Sequence, residues 1–152
     1  MIEIRPVTPA DVPGVIALIS TTLSEFGLVF GQGSATDEPI RALPFSYTDA
    51  GGAFWVATSD ALIGTCGVYP ISPTTFELRK MYLDPRARGS GLGHRLLDVA
   101  VDFVRAKGAT EIVLDTMNNM TRAIAFYEAH GFTRDDTQIR GARCSRGYIR
   151  HL

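Results

Sequence analysis

Apolar and polar residues alternate over residues 2 to 7, IEIRPV, with the period of a half-buried strand. At Thr8 the period changes. Thr8, Pro9 and Asp11 combine an N-cap residue, a proline at the first helical position and an acid in the first turn. Val12, Val15, Ile16, Ile19, Leu23 and Phe26 then recur at helical spacing, which predicts a helix over about 9–26. From Gly27 to Gly52 no period survives. This stretch reads as a long loop holding a short helix, and loops of that length are most often lids or binding segments. It is a candidate substrate-side segment, the alternative being a variable connector.

Three apolar runs follow, AFWVATS, ALIGTCGVYPI and TFELRKMYLDP, separated by Ser59-Asp60 and Ser72-Pro73. Three consecutive antiparallel strands account for them. Strict alternation along the third puts Glu77, Arg79, Met81 and Leu83 on one face. Leu92, Leu96, Ala100, Phe103 and Val104 give a helix ended by Lys107-Gly108. EIVLDT is a short strand, and residues 121–130 form a helix with Ala123, Ile124 and Tyr127 inward and Gly131 as its cap. The tail supplies two more strands turned at Gly141. The fold class is α/β in the α+β sense, with a mixed, mostly antiparallel sheet of six or seven strands and about four helices.

At 152 residues, 45% hydrophobic and 20% charged, the chain fits a single domain over 1–152. A net charge of −1 argues against nucleic acid or an anionic membrane as the partner. MIEIRPVTPADVPG lacks the features of a secretory signal and no apolar run could span a bilayer, so a cytoplasmic location is expected. Cys66 and Cys144 are too few for a disulfide framework or a zinc site; reduced thiols and no metal are expected.

The chemistry concentrates at residues 88–93, RGSGLG, between the third strand of the meander and a helix. The first turn of a helix offers unpaired amides and the positive end of the helix dipole, a combination that binds phosphate. Gly89, Gly91 and Gly93 let a ligand approach the backbone, and Arg88 and His94 add charge. A P-loop would need Lys-Ser or Lys-Thr where His94-Arg95 stand, and a dinucleotide fold would not place this loop after three antiparallel strands.

RGSGLG, ELRKMYLDP before it and AIAFYEAHGF after it resemble the GNAT superfamily of acyl-CoA-dependent N-acyltransferases, and the order of elements extends the likeness over nearly the whole chain. The resemblance implies a sheet splayed between its fourth and fifth strands. It implies that the pyrophosphate of coenzyme A rests on the loop formed by Arg88, Gly89, Ser90, Gly91, Leu92, Gly93 and His94. The pantetheine arm would pair with the backbone of Met81 and Leu83, and the Leu83 amide, at the family's strand bulge, would meet the thioester oxygen. An asparagine common in the family is replaced by Met120, with Asn119 one step away.

The implied activity transfers acetyl from acetyl-CoA to a primary amine by direct attack in a ternary complex. Tyr127 then protonates the leaving thiolate, and Glu77 is either the base or the ion-pair partner of Arg79, with Asp115 in reserve. The competing expectation is a non-catalytic acyl-CoA-binding module of the same fold. The acceptor is a small-molecule or peptide amine, and a homodimer is compatible with the family. Cys144 is not expected to act as a nucleophile; His130 and His151 are read as structural, and Arg134, Arg140, Arg143, Arg146 and Arg150 as mostly solvated.

Overall fold

The computed structural model describes residues 1–152. Its strands are β1 (Glu3–Pro6), β2 (Ala53–Thr58), β3 (Leu62–Ser72), β4 (Thr75–Leu83), β5 (Glu111–Thr116), β6 (Thr133–Arg134) and β7 (Arg146–His151). The helices are α1 (Val12–Ser24), the single turn α2 (Phe45–Thr48), α3 (Leu92–Ala106) and α4 (Thr121–Ala129). One sheet runs in the order β1-β2-β3-β4-β5-β7-β6. Every neighbouring pair is antiparallel except β4–β5, which is parallel. No helix is long and apolar enough to cross a membrane.

The strands β2 to β4 feed two cores because their side chains alternate. Trp55 and Ala57 of β2 join the larger core with α3 and α4, whereas Phe54 and Val56 join the smaller one with α1 and α2. Helix α3 turns Leu92, Leu96, Leu97, Ala100, Val101 and Val104 inward. A 3-10 turn over Pro9–Asp11 precedes α1, so the regular helix starts later and ends earlier than its apolar spacing suggests. Asp11 there accepts from the Thr8 amide at 2.8 Å and from both terminal nitrogens of Arg5.

Two expectations about strands need correction. The alternation of β4 is broken by a bulge: Thr65 pairs with Tyr82 and Gly67 with Arg79, leaving Cys66 opposite both Lys80 and Met81. Lys80 takes φ +53, and its displaced carbonyl is collected by the Thr65 hydroxyl at 2.7 Å. The extra residue resets the phase. Met81 and Leu83 pack with Phe76 and Leu78 on the α3–α4 side, while Tyr82 packs on the α1–α2 side. Glu77 and Arg79 therefore do not share a face with Met81 and Leu83, and the bulge lies at Lys80–Met81 and not at Leu83. In the tail, β6 and β7 do pair, Thr133 with Ile149, but no hairpin turns at Gly141. A long connection replaces it, with a 3-10 turn at Asp136–Gln138.

Candidate active site

The loop between β4 and α3 uses its glycines for two different reasons. Gly89 and Gly91 sit at φ +77 and +84, where a side chain would be strained although the space around them is open. Gly93 is already helical, and there a Cβ would lie 3.2 Å from the Phe126 ring of α4. The first helical hydrogen bond runs from the Arg95 amide to the Gly91 carbonyl, so the amides of Leu92, Gly93 and His94 have no helical partner. Ser90 turns its hydroxyl back to the Ala87 carbonyl, closing the loop on itself.

The flanking basic groups are already engaged. Arg88 donates to both oxygens of Glu25, at 2.9 and 3.2 Å, and so ties the loop to the end of α1. His94 approaches Asp98 at 3.2 Å and the His130 ring nitrogen at 3.1 Å. His130 is anchored by the Phe126 carbonyl and stacks on the Phe126 ring at 4.1 Å.

Beyond this loop the sheet opens. β4 and β5 are paired only from Thr75 to Glu77 against Glu111 to Val113, so the second half of β4 has an edge without a neighbouring strand. Tyr127, 8% exposed, borders the same region from α4. Burial pushes its phenol well above the ordinary tyrosine range, and no protein group hydrogen-bonds its hydroxyl.

The opposite face of β4 carries charge. Glu77 is 4% exposed, and its carboxylate is taken by Nε of Arg79. The Arg79 guanidinium lies over the Tyr69 ring at 4.2 Å and near that of Tyr47 at 5.9 Å. One residue on, Lys80 meets Asp37, which is 0% exposed and also receives Arg143 at 3.3 and 3.4 Å and the Gly31 amide at 2.9 Å. Burial alone would raise the Asp37 carboxyl, but the Lys80 hydrogen bond and charge outweigh it, and the group is held below the ordinary aspartate value. Segment 27–52 is thereby locked against β4 and the tail.

Sequence reasoning missed this triad because its members lie 43 and 106 residues apart and no pattern links them. One local signal was available: a lysine at 80 alternates with Leu78 and Tyr82, an apolar row in which an unpaired ammonium would be costly. Arg143, expected to be solvated, is a half-buried anchor. Asp115, the reserve base, has one oxygen occupied by the Arg140 and Gly141 amides at 2.7 Å each, which fixes the tail connection. Burial, followed by the neighbouring Asp115, pushes the Cys144 thiol up to about 12, a poor state for a nucleophile. Met120 receives the Thr116 hydroxyl on its sulfur, and Arg146 binds Asn118 at 2.7 Å. No group of three or more His, Cys, Asp or Glu side chains is placed to hold a metal ion.

Three features thus follow one another along the chain: a strand with an open edge, unpaired amides at the helix start that succeeds it, and a largely buried phenol on α4. The profile of the acetyltransferase (GNAT) family matches residues 20–132, which span all three features. The chain belongs to this family. It is an acyltransferase with the GNAT fold. Over 137 residues it is 31% identical to the Escherichia coli protein described as uncharacterized N-acetyltransferase YjgM, covering 87% of this chain and 82% of that one. Human N-acetyltransferase 8B is 32% identical over 93 residues, and only 41% of its length is matched. Among solved structures, an acetyltransferase from Streptococcus agalactiae superposes with a TM-score of 0.89 at 28% identity, covering 99% of this chain and 98% of that one. PaiA N-acetyltransferase from Thermoplasma acidophilum, solved in complex with coenzyme A, superposes with a TM-score of 0.78 at 22% identity over 100% and 99% of the two chains.

Proposed function

We propose that this GNAT protein transfers acetyl from acetyl-CoA to a primary amine by direct attack in a ternary complex. The observation that carries this reading is the run of unpaired amides from Leu92 to His94 beside a β4 edge that β5 leaves open. PaiA, which shares the fold, binds coenzyme A. In this reading the pyrophosphate of coenzyme A rests on the amides between Arg88 and His94. The pantetheine amides pair with the free edge of β4 at Met81 and Leu83, as an added strand would. The acyl carbonyl then lies near the bulge, within reach of a β4 amide.

The amine nitrogen attacks the thioester carbon, a C–N bond forms, and the C–S bond breaks as the tetrahedral intermediate collapses. The nitrogen gives its proton to water in the acceptor cleft, Tyr127 donates its hydroxyl proton to the departing sulfur, and the tyrosinate takes a proton back from solvent once the thiol has left. A raised phenol suits that task because it stays protonated, and a thiolate released into the same dry surroundings is raised by the same desolvation. Glu77, held by Arg79, serves this site by orienting that arginine.

Calorimetric titration with acetyl-CoA should give saturable binding, and its absence at high protein concentration would sink the proposal. Gly91→Ala should both weaken that binding and cost about 1–2 kcal/mol of stability, because alanine at φ +84 strains the turn that aims the amides. Unaltered acetyl-CoA affinity in a folded variant would move the phosphate off this loop.

A further inference from the structure

Segment 27–52 does more than cover the sheet. With Tyr69 of β3 and Arg79 of β4 it encloses an open cleft of about 680 Å³ on the α1–α2 side, and Glu38, Arg41 and Ser46 contribute its polar wall. Of the strand residues in this cleft, Arg79 stands next to the bulge where the acyl carbonyl is proposed to lie.

The hydrogen-bonding groups here are unbalanced in a way that selects a ligand. Arg79 spends Nε on Glu77 and its face on Tyr69, which fixes the plane of the guanidinium; neither terminal nitrogen has a carboxylate or carbonyl partner in the protein. Arg41 repeats the arrangement, with Nε on Glu38 at 3.3 Å. Behind Arg79 the Tyr47 hydroxyl is wholly buried without a hydrogen-bond partner. The Ser46 hydroxyl already donates, to the Pro39 carbonyl at 2.6 Å, and both glutamates are already paired. The cleft thus offers donors in surplus. A planar, pre-oriented guanidinium with a free fork fits a carboxylate.

We infer that the acceptor amine also carries a carboxylate, and that Arg79 binds it in this cleft. This inference rests on the proposed acetyl transfer and names the class of its acceptor. Because the bulge sets two residues of β4 against one of β3, Arg79 stands three ladder steps from Leu83, about 10 Å along the strand at roughly 3.3 Å per step. The amine and the carboxylate are therefore separated by several bonds, as in a short peptide or an ω-amino acid.

The test uses products, so the natural acceptor need not be known. N-acetylated dipeptides and N-acetyl-6-aminohexanoate, each paired with its neutral carboxamide, are titrated into the protein loaded with coenzyme A. The acids should bind on the order of 10- to 100-fold more tightly than the amides, and Arg79→Gln should erase that difference while leaving coenzyme A affinity unchanged. Because Arg79→Gln strands Glu77, Glu77→Gln/Arg79→Gln provides a second variant without a buried unpaired charge. Equal binding of acids and amides, no binding of either, or an advantage that persists in both variants would each overturn the inference. Failure of coenzyme A itself to bind would instead remove the donor reading, and this inference with it.

Discussion

Replacing Tyr127 by phenylalanine is expected to lower turnover by about 100-fold or more while leaving acetyl-CoA affinity within about twofold. The expectation follows from how the hydroxyl is held. It is buried, its phenol is raised by desolvation, and it makes no hydrogen bond in the protein. Deleting a hydroxyl that no protein group uses breaks nothing, so the variant should be as stable as the parent. Steady-state thiol release with an accepted amine, read beside a thermal melt, separates the two effects. Turnover unchanged at equal stability would take Tyr127 out of proton delivery and turn attention to Tyr82, the neighbouring phenol.

Asp37→Ala should produce the largest loss of stability of any single polar substitution. The change leaves the Lys80 ammonium, 7% exposed, with no counter-charge, and frees Arg143 and the Gly31 amide at the same time. Stranding a buried charge costs about 3–5 kcal/mol, which for a chain of this size lowers the melting temperature by about 10 °C. The pH dependence has a definite sign. The folded-state carboxyl of Asp37 is held below its unfolded value, so its contribution is present above about pH 4 and is lost as pH falls through the lower folded value. The gap between parent and variant should be full at neutral pH and close in acid. A gap that stays constant down to the acid transition would mean that the pairing contributes little.

The sequence made the scaffold legible wherever a period was long enough to read. Helix α3 carries an uninterrupted apolar face, and the three strands of the meander are separated by recognisable turn residues. The glycine loop was readable because two of its three glycines answer a backbone requirement that other residues meet poorly. Three things were not legible. The bulge in β4 rests on a positive φ at a lysine, which local preference does not announce, and it inverts the facing of all later residues in that strand. The Asp37–Lys80–Arg143 cluster depends on long-range packing. The hairpin expected at Gly141 is replaced because Asp115 captures the backbone of that connection, a contact between residues 25 and 26 positions apart.

The doubled step at Lys80 also bears on how this strand can change. Before it β4 sends Phe76 and Leu78 toward α3 and α4; after it Met81 and Leu83 go the same way, and Arg79 and Lys80 are left side by side facing the acceptor cleft and segment 27–52. Excising Lys80 would restore plain alternation and leave Met81 and Leu83 facing α3 and Tyr82 facing away, with the Asp37 partner lost; flattening the bulge with every residue kept would instead send Met81 and Leu83 to the charged side. The strand works as a ruler of fixed length with one spare mark: its letters can be exchanged one at a time, but a single insertion or deletion between the bulge and Leu83 would swap the surfaces offered to the two substrates at once.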